Sequence, residues 1–292
     1  MRKDIKIGFV GGDMRQIFCA SKLAENGFEI ALYGFDKYMA DVGLCTRCDN
    51  PEDAIETAEV VVLPMPSTLD GLFVNSPLTD KCIKVCEIIE KAKNCKLLLY
   101  GGNNPKIEGL AKEKGIPVYD YYKREDYKIL NACPTAEGAL AIAINEMPKT
   151  IFGSTCLVIG YGRIGKILCN NLKSLGASVY ASARKSEDIA WAKISGYKAI
   201  ETSSISKILP KCDLILNTVP KTILDENNLK GIRRDALIID LASKPGGIDF
   251  KPAKEMGLNV VWALSLPGKT APVTAGHILA DTIFKIMQEE LK

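Results

Sequence analysis

The sequence predicts an α/β fold with two doubly wound parallel sheets, one in each of two domains. First, short apolar runs alternate with segments of helical spacing from end to end, which is typical of parallel sheets covered by helices. Second, a strand, a glycine turn, a helix and another strand at residues 5–33 recur in the same order at residues 156–181. Third, 292 residues are enough for two domains with large cores.

Composition excludes several classes of protein. Hydrophobic residues make up 47% of the chain, charged residues make up 25%, and the formal net charge is only +3. No basic tract indicates binding to nucleic acid or to a membrane surface, and no apolar run approaches the roughly 20 residues of a membrane span. The N-terminus leads into an apolar strand and not into a signal peptide, so we expect a cytoplasmic protein.

Ten cysteines raise the question of disulfides or zinc. Disulfide frameworks belong mainly to short secreted chains, which this is not. Cys45 and Cys48 form a lone C-x-x-C, and Cys82 and Cys86 are four residues apart. Their spacings match no familiar zinc module, so we interpret them as small buried side chains or free thiols and predict no metal site.

The motif around which the chain is organised is G-x-G-x-x-G at residues 160–165, between an apolar strand and a segment of helical spacing. The first glycine permits a tight turn, the second lets the backbone approach a pyrophosphate, and the third lets helix and strand pack closely. The helix N-terminus then offers N–H groups and partial positive charge to the phosphates. This order predicts a Rossmann-like dinucleotide site, with a ligand-free turn as the alternative. Its predicted contacts are Gly160, Gly162, Arg163, Ile164 and Gly165.

The residues after the next strand indicate which dinucleotide is bound. Chains that bind NAD usually place an acidic residue there, whereas residues 178–186 contain none. Ser182, Arg184 and Lys185 suit a 2′-phosphate, so we predict NADP and regard NAD as the weaker candidate. The alternative is a solvated basic turn. Two later corners are expected to complete the cofactor site, with Thr218, Val219, Pro220, Leu241 and Ala242.

The glycine turn of the N-terminal half is different. It reads Gly11-Gly12-Asp13, without the fingerprint spacing, and Asp13 would repel a pyrophosphate at the helix start. We therefore predict that this half binds the substrate, with Asp13, Arg15 and Ser67 on the substrate side. Arg15 suits a substrate carboxylate, or else it pairs with Asp13 and stiffens the turn.

A helix over residues 134–150 is expected to connect the domains across a cleft. Proline near its start and small residues throughout favour a closely packed helix. Thr135 and Glu137 lie in its first turn, where they either face the active site, with Thr135 binding substrate, or serve as cap and first-turn acid. The predicted domains on either side are residues 1–133 for the substrate and 151–273 for NADP.

A second helix, residues 274–292, is expected to pack back toward the first domain. It follows a loop rich in Gly, Pro and Thr that is typical of a lid on the nicotinamide side. Lys269 in this loop suits a carboxylate. His277, the only histidine, suits proton transfer or a packing or capping role in the helix.

Five segments spread over the whole chain carry a family resemblance: residues 8–16 (GFVGGDMRQ), 63–66 (LPMP), 132–138 (ACPTAEG), 160–166 (GYGRIGK) and 266–276 (LPGKTAPVTAG). Together they resemble the A subunit of dipicolinate synthase from spore-forming bacteria. The resemblance implies NAD(P)-dependent formation of pyridine-2,6-dicarboxylate from dihydrodipicolinate or 4-hydroxy-tetrahydrodipicolinate, both small dicarboxylates, in support of sporulation. It also implies that the partner is a separate, flavoprotein-like B subunit. Self-association of the chain into a homo-oligomer is a further alternative.

For such a reaction, Arg15 and Lys269 are the candidates for neutralising carboxylates, and Glu137 and His277 for transferring protons, although no motif assigns the acid and the base. One alternative is a 2-hydroxyacid or alanine-type dehydrogenase. The hydroxyacid enzymes would place Arg in the loop after the strand ending at Asp240, where this chain has Ser243-Lys244. An alternative of another class is a regulatory subunit that binds NADP without catalysis.

Overall fold

The computed structural model describes residues 5–291 and divides into two compact units. Unit 1 comprises the described residues up to Asn131 together with those from Pro267 onward, and unit 2 comprises Ala132–Leu266. Each unit contains one six-stranded sheet.

The strands are short and all pair in parallel. In chain order they are β1 (Lys6–Val10), β2 (Glu29–Tyr33), β3 (Thr46–Cys48), β4 (Val60–Val62), β5 (Leu97–Tyr100), β6 (Val118–Asp120), β7 (Thr155–Ile159), β8 (Ser178–Ala183), β9 (Lys198–Glu201), β10 (Leu214–Asn217), β11 (Leu237–Asp240) and β12 (Asn259–Trp262).

The helices lie between the strands along the chain. In chain order they are α1 (Met14–Glu25), α2 (Pro51–Ile55), α3 (Val85–Lys91), α4 (Pro105–Glu113), α5 (Glu125–Glu146), α6 (Arg163–Ser174), α7 (Ser186–Ile194), α8 (Glu226–Leu229), α9 (Phe250–Glu255), α10 (Leu266–Thr270) and α11 (Pro272–Glu290).

Both sheets have the same topology. The strand order is β3-β2-β1-β4-β5-β6 in unit 1 and β12-β11-β10-β7-β8-β9 in unit 2. In each unit the first strand lies in the middle of the sheet, and the strand order runs outward from it in both directions. This arrangement creates a crevice at the carboxyl ends of the two central strands. The central strands β4, β5, β10 and β11 are buried throughout, as expected for sheets covered on both faces. The predicted fold class is confirmed.

Helix α11 packs against α1 within unit 1. A Cβ added to Gly276 would lie 2.6 Å from the Cβ of Phe18 and 2.7 Å from the carbonyl oxygen of Arg15, so the absence of a side chain permits this close approach. The buried face of α11 includes Leu279, Ile283 and Ile286, which join the core of the first sheet. The expectation that the C-terminal helix packs back toward the first domain is confirmed.

Several local expectations were wrong. The helix expected from residue 134 begins at Glu125, and Pro134 lies inside it. The segment expected to form a loop before the last helix contains α10. Strands β3 and β9 are missing from the sequence prediction because neither shows a strong apolar run; their burial patterns contain mostly exposed or half-buried residues.

No helix in residues 5–291 is long and apolar enough to cross a membrane. The ten cysteines are all free, with Cys45 and Cys48 buried and Cys82 and Cys86 exposed. Over the same residues, no group of three or more His, Cys, Asp or Glu side chains is arranged to hold a metal ion.

Candidate functional site

The glycine turn of unit 2 is shaped by two close backbone contacts. Gly160 has a φ of +96°, and a Cβ there would lie 2.5 Å from Oγ1 of Thr218 and 2.8 Å from Cγ2 of Val219. A Cβ on Gly165 would overlap the carbonyl oxygen of Gly160 and lie 2.9 Å from its carbonyl carbon. Both positions therefore require glycine, because a side chain would push α6 or the corner after β10 away from the turn.

Gly162 differs from its two neighbours in the fingerprint. It is the N-cap of α6, has an ordinary φ of −85°, and makes no side-chain cap hydrogen bond. A Cβ built on it would meet no atom of the chain within 4 Å. The first turn of α6 contains no acidic residue, Arg163 is its exposed first residue, and half-buried Ile164 packs on the core. An open helix N-terminus of this kind can accept a pyrophosphate.

The end of β8 carries the residues expected at the adenosine ribose. Ser182 is fully buried, with its hydroxyl oxygen 3.4 Å from that of Thr202. Arg184 and Lys185 are exposed beyond the strand, where their charges face solvent. On the neighbouring strand β9, Glu201 stands beside Ala183 in the register.

Two corners lie at the same edge of the sheet, after β10 and β11. The hydroxyl of Thr218 donates to the carbonyl oxygen of Ile159 at 3.0 Å, which ties this corner to the strand before the glycine turn. Val219 is half-buried and Pro220 exposed. Leu241 and Ala242 are buried, and the carbonyl of Ala242 accepts a hydrogen bond from Nε1 of Trp262 at 3.0 Å.

A buried polar pair that was not predicted from the sequence lies beneath these corners. Nδ2 of Asn217 donates to Oδ1 of Asp240 at 2.7 Å and to the carbonyl oxygen of Val219 at 3.0 Å. Asp240 also accepts the N–H groups of Ala242 at 3.1 Å and Gly247 at 2.8 Å. Both side chains are 0% exposed. A polar residue at the end of each of two apolar strands was the available signal.

Unit 1 presents a closed turn at the equivalent position. The Asp13 carboxylate caps α1 by accepting the N–H of Arg15 at 3.0 Å, and it accepts Nε and Nη2 of the same arginine at 2.9 and 2.7 Å. Nη2 also donates to the carbonyl oxygen of Met65 at 2.6 Å. Burial tends to lower the pKa of Arg15, but hydrogen bonding and charge from Asp13 raise it overall. Arg15 thus makes the pairing that was the alternative to a substrate clamp, and its clamp role stays a prediction.

Neighbouring segments close over this turn. A Cβ on Gly11 would lie 2.9 Å from Cγ1 of Val74 and 3.0 Å from Cβ of Ser76. A Cβ on Gly268, in α10, would lie 2.8 Å from Oδ2 of Asp13. Residues 74–76 and Gly268 therefore pack closely against this turn.

The other candidates are dispersed. Ser67 is buried, and its hydroxyl lies 2.8 Å from the carbonyl oxygen of Pro64 and 2.9 Å from that of Gly101, so it braces two loops. Lys269 on α10 and His277 on α11 are exposed.

On α5, Thr135 is half-buried and Glu137 is exposed. Sγ of Cys133 lies 3.6 Å from a Glu137 oxygen. Burial, followed by the charge and hydrogen bond of Glu137, raises the pKa of Cys133. Within unit 1 the structure brings Asp13, Arg15 and the backbone of α10 together, and the roles of Ser67, Lys269, His277, Thr135 and Glu137 stay predictions.

Two family models match the chain. The model of the N-terminal domain of the dipicolinate synthase A subunit matches residues 6–122. The model of the NAD binding domain of D-isomer specific 2-hydroxyacid dehydrogenases matches residues 137–244, which include the fingerprint and both later corners.

Full-length relatives agree with these matches. The A subunit of dipicolinate synthase from Bacillus subtilis (strain 168) is 32% identical over 291 residues, covering 99% of this chain and 98% of the relative. The crystal structure of the same synthase component from Bacillus halodurans superposes with a TM-score of 0.88 at 30% identity, covering 97% of both chains. The crystal structure of the Bacillus subtilis protein gives 0.87 at 31% identity, covering 100% of this chain and 98% of that one.

Proposed function

The chain belongs to the family of dipicolinate synthase A subunits and is an NAD(P)-dependent oxidoreductase, and we propose that it forms dipicolinate with NADP as the hydride acceptor. The substrate is dihydrodipicolinate, or 4-hydroxy-tetrahydrodipicolinate that first loses water. The observation that carries this proposal is the 32% identity to the A subunit of a dipicolinate synthase over 99% of the chain.

A bound nicotinamide cofactor supplies the acceptor for one hydride. Removing a hydride and a proton from dihydrodipicolinate leaves an aromatic pyridine ring, so the oxidation is strongly downhill. The chain's own task is then to orient the ring and neutralise its two carboxylates. Loss of water from the hydroxylated substrate also requires proton transfer, for which we propose Glu137 and His277, with Lys269 near a carboxylate.

The glycine turn of unit 2 supports the binding of a dinucleotide. Gly160 and Gly165 accept no side chain, whereas Gly162 and the start of α6 face open space without an acidic residue. This is the arrangement that a pyrophosphate requires. The residues present therefore fit a dinucleotide.

The choice of NADP is supported by the end of β8. Residues 178–186 offer hydroxyl groups and the exposed cations Arg184 and Lys185, but no carboxylate. A 2′-phosphate would be repelled by an acidic residue and attracted by a guanidinium. The nearest acid by register, Glu201, stands on the neighbouring strand, where Ser203 donates its hydroxyl to it at 3.4 Å.

The guanidinium of Arg15 supports the binding of substrate by unit 1. Its Nε and Nη2 are occupied by Asp13 and Met65, whereas Nη1 makes no hydrogen bond within residues 5–291. We propose that Nη1 binds a substrate carboxylate while Asp13 keeps the guanidinium in place. Ser67 and Thr135 are proposed substrate contacts. Unit 1 is therefore the proposed substrate domain and unit 2 the proposed NADP domain.

The full-length relatives are A subunits of a synthase, which supports a separate B subunit in complex with this chain. We propose that the complex works in the cytoplasm during sporulation. The mass of the purified chain in solution tests for a homo-oligomer.

The alternatives make different predictions for one assay. A 2-hydroxyacid dehydrogenase would need an arginine after β11, where exposed Ser243 and Lys244 stand. The assay measures nicotinamide reduction or oxidation with dihydrodipicolinate plus NADP, pyruvate plus NADPH, and no substrate, with and without the B subunit. Turnover of dihydrodipicolinate supports the proposal. Turnover of pyruvate supports the dehydrogenase, and NADP binding without any turnover, even in the complex with its partner, supports a regulatory role.

A further inference from the structure

The buried carboxylate of Asp240 lies at the end of β11 and accepts three N–H groups: the side-chain amide of Asn217 and the backbone N–H groups of Ala242 and Gly247. All three donors are neutral. No lysine, arginine or histidine in the described part of the chain forms an ion pair with this carboxylate. The Asp240 carboxylate therefore lies in the interior of unit 2 with three neutral donors and without a cationic partner.

Another aspartate of the same sheet has the opposite arrangement. Asp213, immediately before β10, is 8% exposed and contacts Nζ of Lys149 at 2.6 Å and Nη2 of Arg233 at 2.8 Å. Lys149 and Arg233 compensate its charge at the amino end of the sheet. The charge of Asp240 is uncompensated at the carboxyl edge, where open α/β sheets bind their ligands.

The register places Asp240 on the nicotinamide side of that edge. Asp240 pairs with Asn217, and Asn217 pairs with Ile159, the residue before the glycine turn. With neighbouring strands about 4.8 Å apart, the Cα of Asp240 lies roughly 10 Å from that of Ile159. A dinucleotide crosses this edge with one half on each side of the switch point. Since Arg184 and Lys185 after β8 mark the adenosine side, β10 and β11 support the nicotinamide side.

The two oxidation states of the cofactor differ in charge at this end. The oxidised nicotinamide ring carries a positive charge, and the reduced ring is neutral. A buried negative charge nearby attracts the oxidised ring and not the reduced ring. The attraction is strengthened because it acts through an interior of low dielectric constant. We propose that Asp240 makes this site bind the oxidised cofactor more tightly than the reduced one.

This inference rests on the proposed function in needing a nicotinamide cofactor at unit 2 with its adenosine half on the side of β8. It explains the conformation of the loop after β11 as well. A Cβ on Gly247 would lie 2.5 Å from the carbonyl oxygen of Val219, and one on Gly246 would lie 2.9 Å from Oδ2 of Asp240. Both glycines let the backbone close over the carboxylate. Weaker binding of the reduced form favours its release after an oxidation that is already strongly downhill.

The test compares dissociation constants of the purified chain for NADP+ and NADPH, and for NAD+ and NADH, by calorimetry and nicotinamide fluorescence. We expect the wild-type protein to bind the oxidised form more tightly. In Asp240→Asn, the ratio of the two constants should shift toward the reduced form by about tenfold, the order of magnitude for losing one buried charge that attracts the positive ring. Circular dichroism verifies folding.

Asp213→Asn is the matched control. It removes the same charge from the other edge of the same sheet and should leave the ratio unchanged. Asp240→Glu should keep a preference for the oxidised form even where both constants are weaker, because it keeps the charge. Asp240→Ser is a second neutral variant in case the asparagine variant does not fold.

Equal weakening of both forms by the neutral variants would overturn the proposal, because it would make Asp240 a purely structural residue. A wild-type protein that binds the reduced form more tightly would overturn it too, and this measurement needs no variant. Absence of binding of either form to the wild-type protein would instead contradict the proposed function itself.

Discussion

The two glycine turns of this protein occupy the same place in the same topology and differ in what surrounds them. Each follows the first strand of a six-stranded parallel sheet and leads into a helix of 12 residues, α1 or α6. In unit 2 the helix begins at Gly162 with open space around it. In unit 1 it begins at Asp13, whose carboxylate already caps the helix and pairs with Arg15. The topology provides a crevice in both units, and local residues decide whether a phosphate can use it.

The ends of the second strands repeat the contrast. In unit 2, β8 is followed by exposed Arg184 and Lys185. In unit 1, β2 is followed three residues later by Asp36, which accepts hydrogen bonds from Thr79 and Lys81. The hydrogen bond from Thr79 is the main cause of the lowered pKa of Asp36. The segment that contains Val74, Ser76 and Thr79 therefore covers both parts of the turn region of unit 1.

The largest effect is expected from side chains placed in the fingerprint of unit 2. We expect Gly165→Ala to lower the free energy of unfolding of this unit by roughly 3 kcal/mol, because the added carbon overlaps backbone atoms of Gly160. Urea denaturation measures the change. Gly162→Ala is the control, and it should fold normally while it weakens cofactor binding. Equal stability of the two variants would contradict the packing assigned to Gly165.

The turn of unit 1 can be tested through its charge pair. Asp13→Ser keeps a capping hydroxyl but leaves the guanidinium of Arg15, whose side chain is only 6% exposed, without its counter-ion. We expect the free energy of unfolding to fall by about 2 to 3 kcal/mol. This loss is at the low end for a buried ion pair because Asp13 is partly exposed. Asp225→Ser, at the exposed cap of α8, should cost little. A gain of dinucleotide binding by unit 1 in Asp13→Ser would show that the charge alone had closed its crevice.

The 2′-phosphate assignment predicts a selective effect at the end of β8. Arg184→Ala should weaken NADPH binding by about 1 to 3 kcal/mol, from loss of one charged hydrogen-bonded contact, and barely change NADH binding. Fluorescence titration with each cofactor measures both constants. Arg234→Ala removes an exposed arginine elsewhere in unit 2 and should affect neither. An equal loss for NADPH and NADH would refute this placement of the phosphate.

Arg15→Lys sharpens the role of the guanidinium in unit 1. A lysine keeps a positive charge beside Asp13 but lacks the second nitrogen that we assign to a substrate carboxylate. The KM for dihydrodipicolinate should rise by about tenfold, the effect of one charged hydrogen bond, with the dissociation constant for NADP unchanged. If KM stays at the wild-type value, Arg15 serves only to hold the turn.

The smallest expected effect concerns the pH dependence of stability that comes from the ion pair between Arg124 and Asp126. The hydrogen bond from Arg124 is the main cause that lowers the pKa of Asp126 from 3.8 to about 2. Because the folded pKa is below the unfolded one, this stabilisation is present above about pH 4 and is lost as the pH falls toward 2. Asp126→Asn should remove part of the acid dependence of the unfolding free energy in that range. An unchanged acid dependence would show that the pair is too exposed to contribute.

The sequence was sufficient for the fold and for the cofactor turn because both depend on local patterns. Apolar runs marked β1, β4, β5, β7, β10 and β11, and a glycine directly follows β1, β5 and β7. The spacing of Gly160, Gly162 and Gly165 follows from backbone geometry. Weakly apolar edge strands such as β3 and β9 were missed because their burial depends on a neighbour. The start of α5 was missed because Pro134 was interpreted as a helix start, although it lies inside a longer helix.

Residue order is enough to establish the α/β class, the fingerprint at residues 160–165 and the family. Other features became visible in the folded molecule alone. Arg15 is held by Asp13 and Met65, residues 74–76 and Gly268 pack against the first turn, and Asn217 and Asp240 meet beneath two corners. These contacts join residues far apart in the chain, and their energies depend on burial and on which donors remain available. No spacing along the chain encodes those quantities.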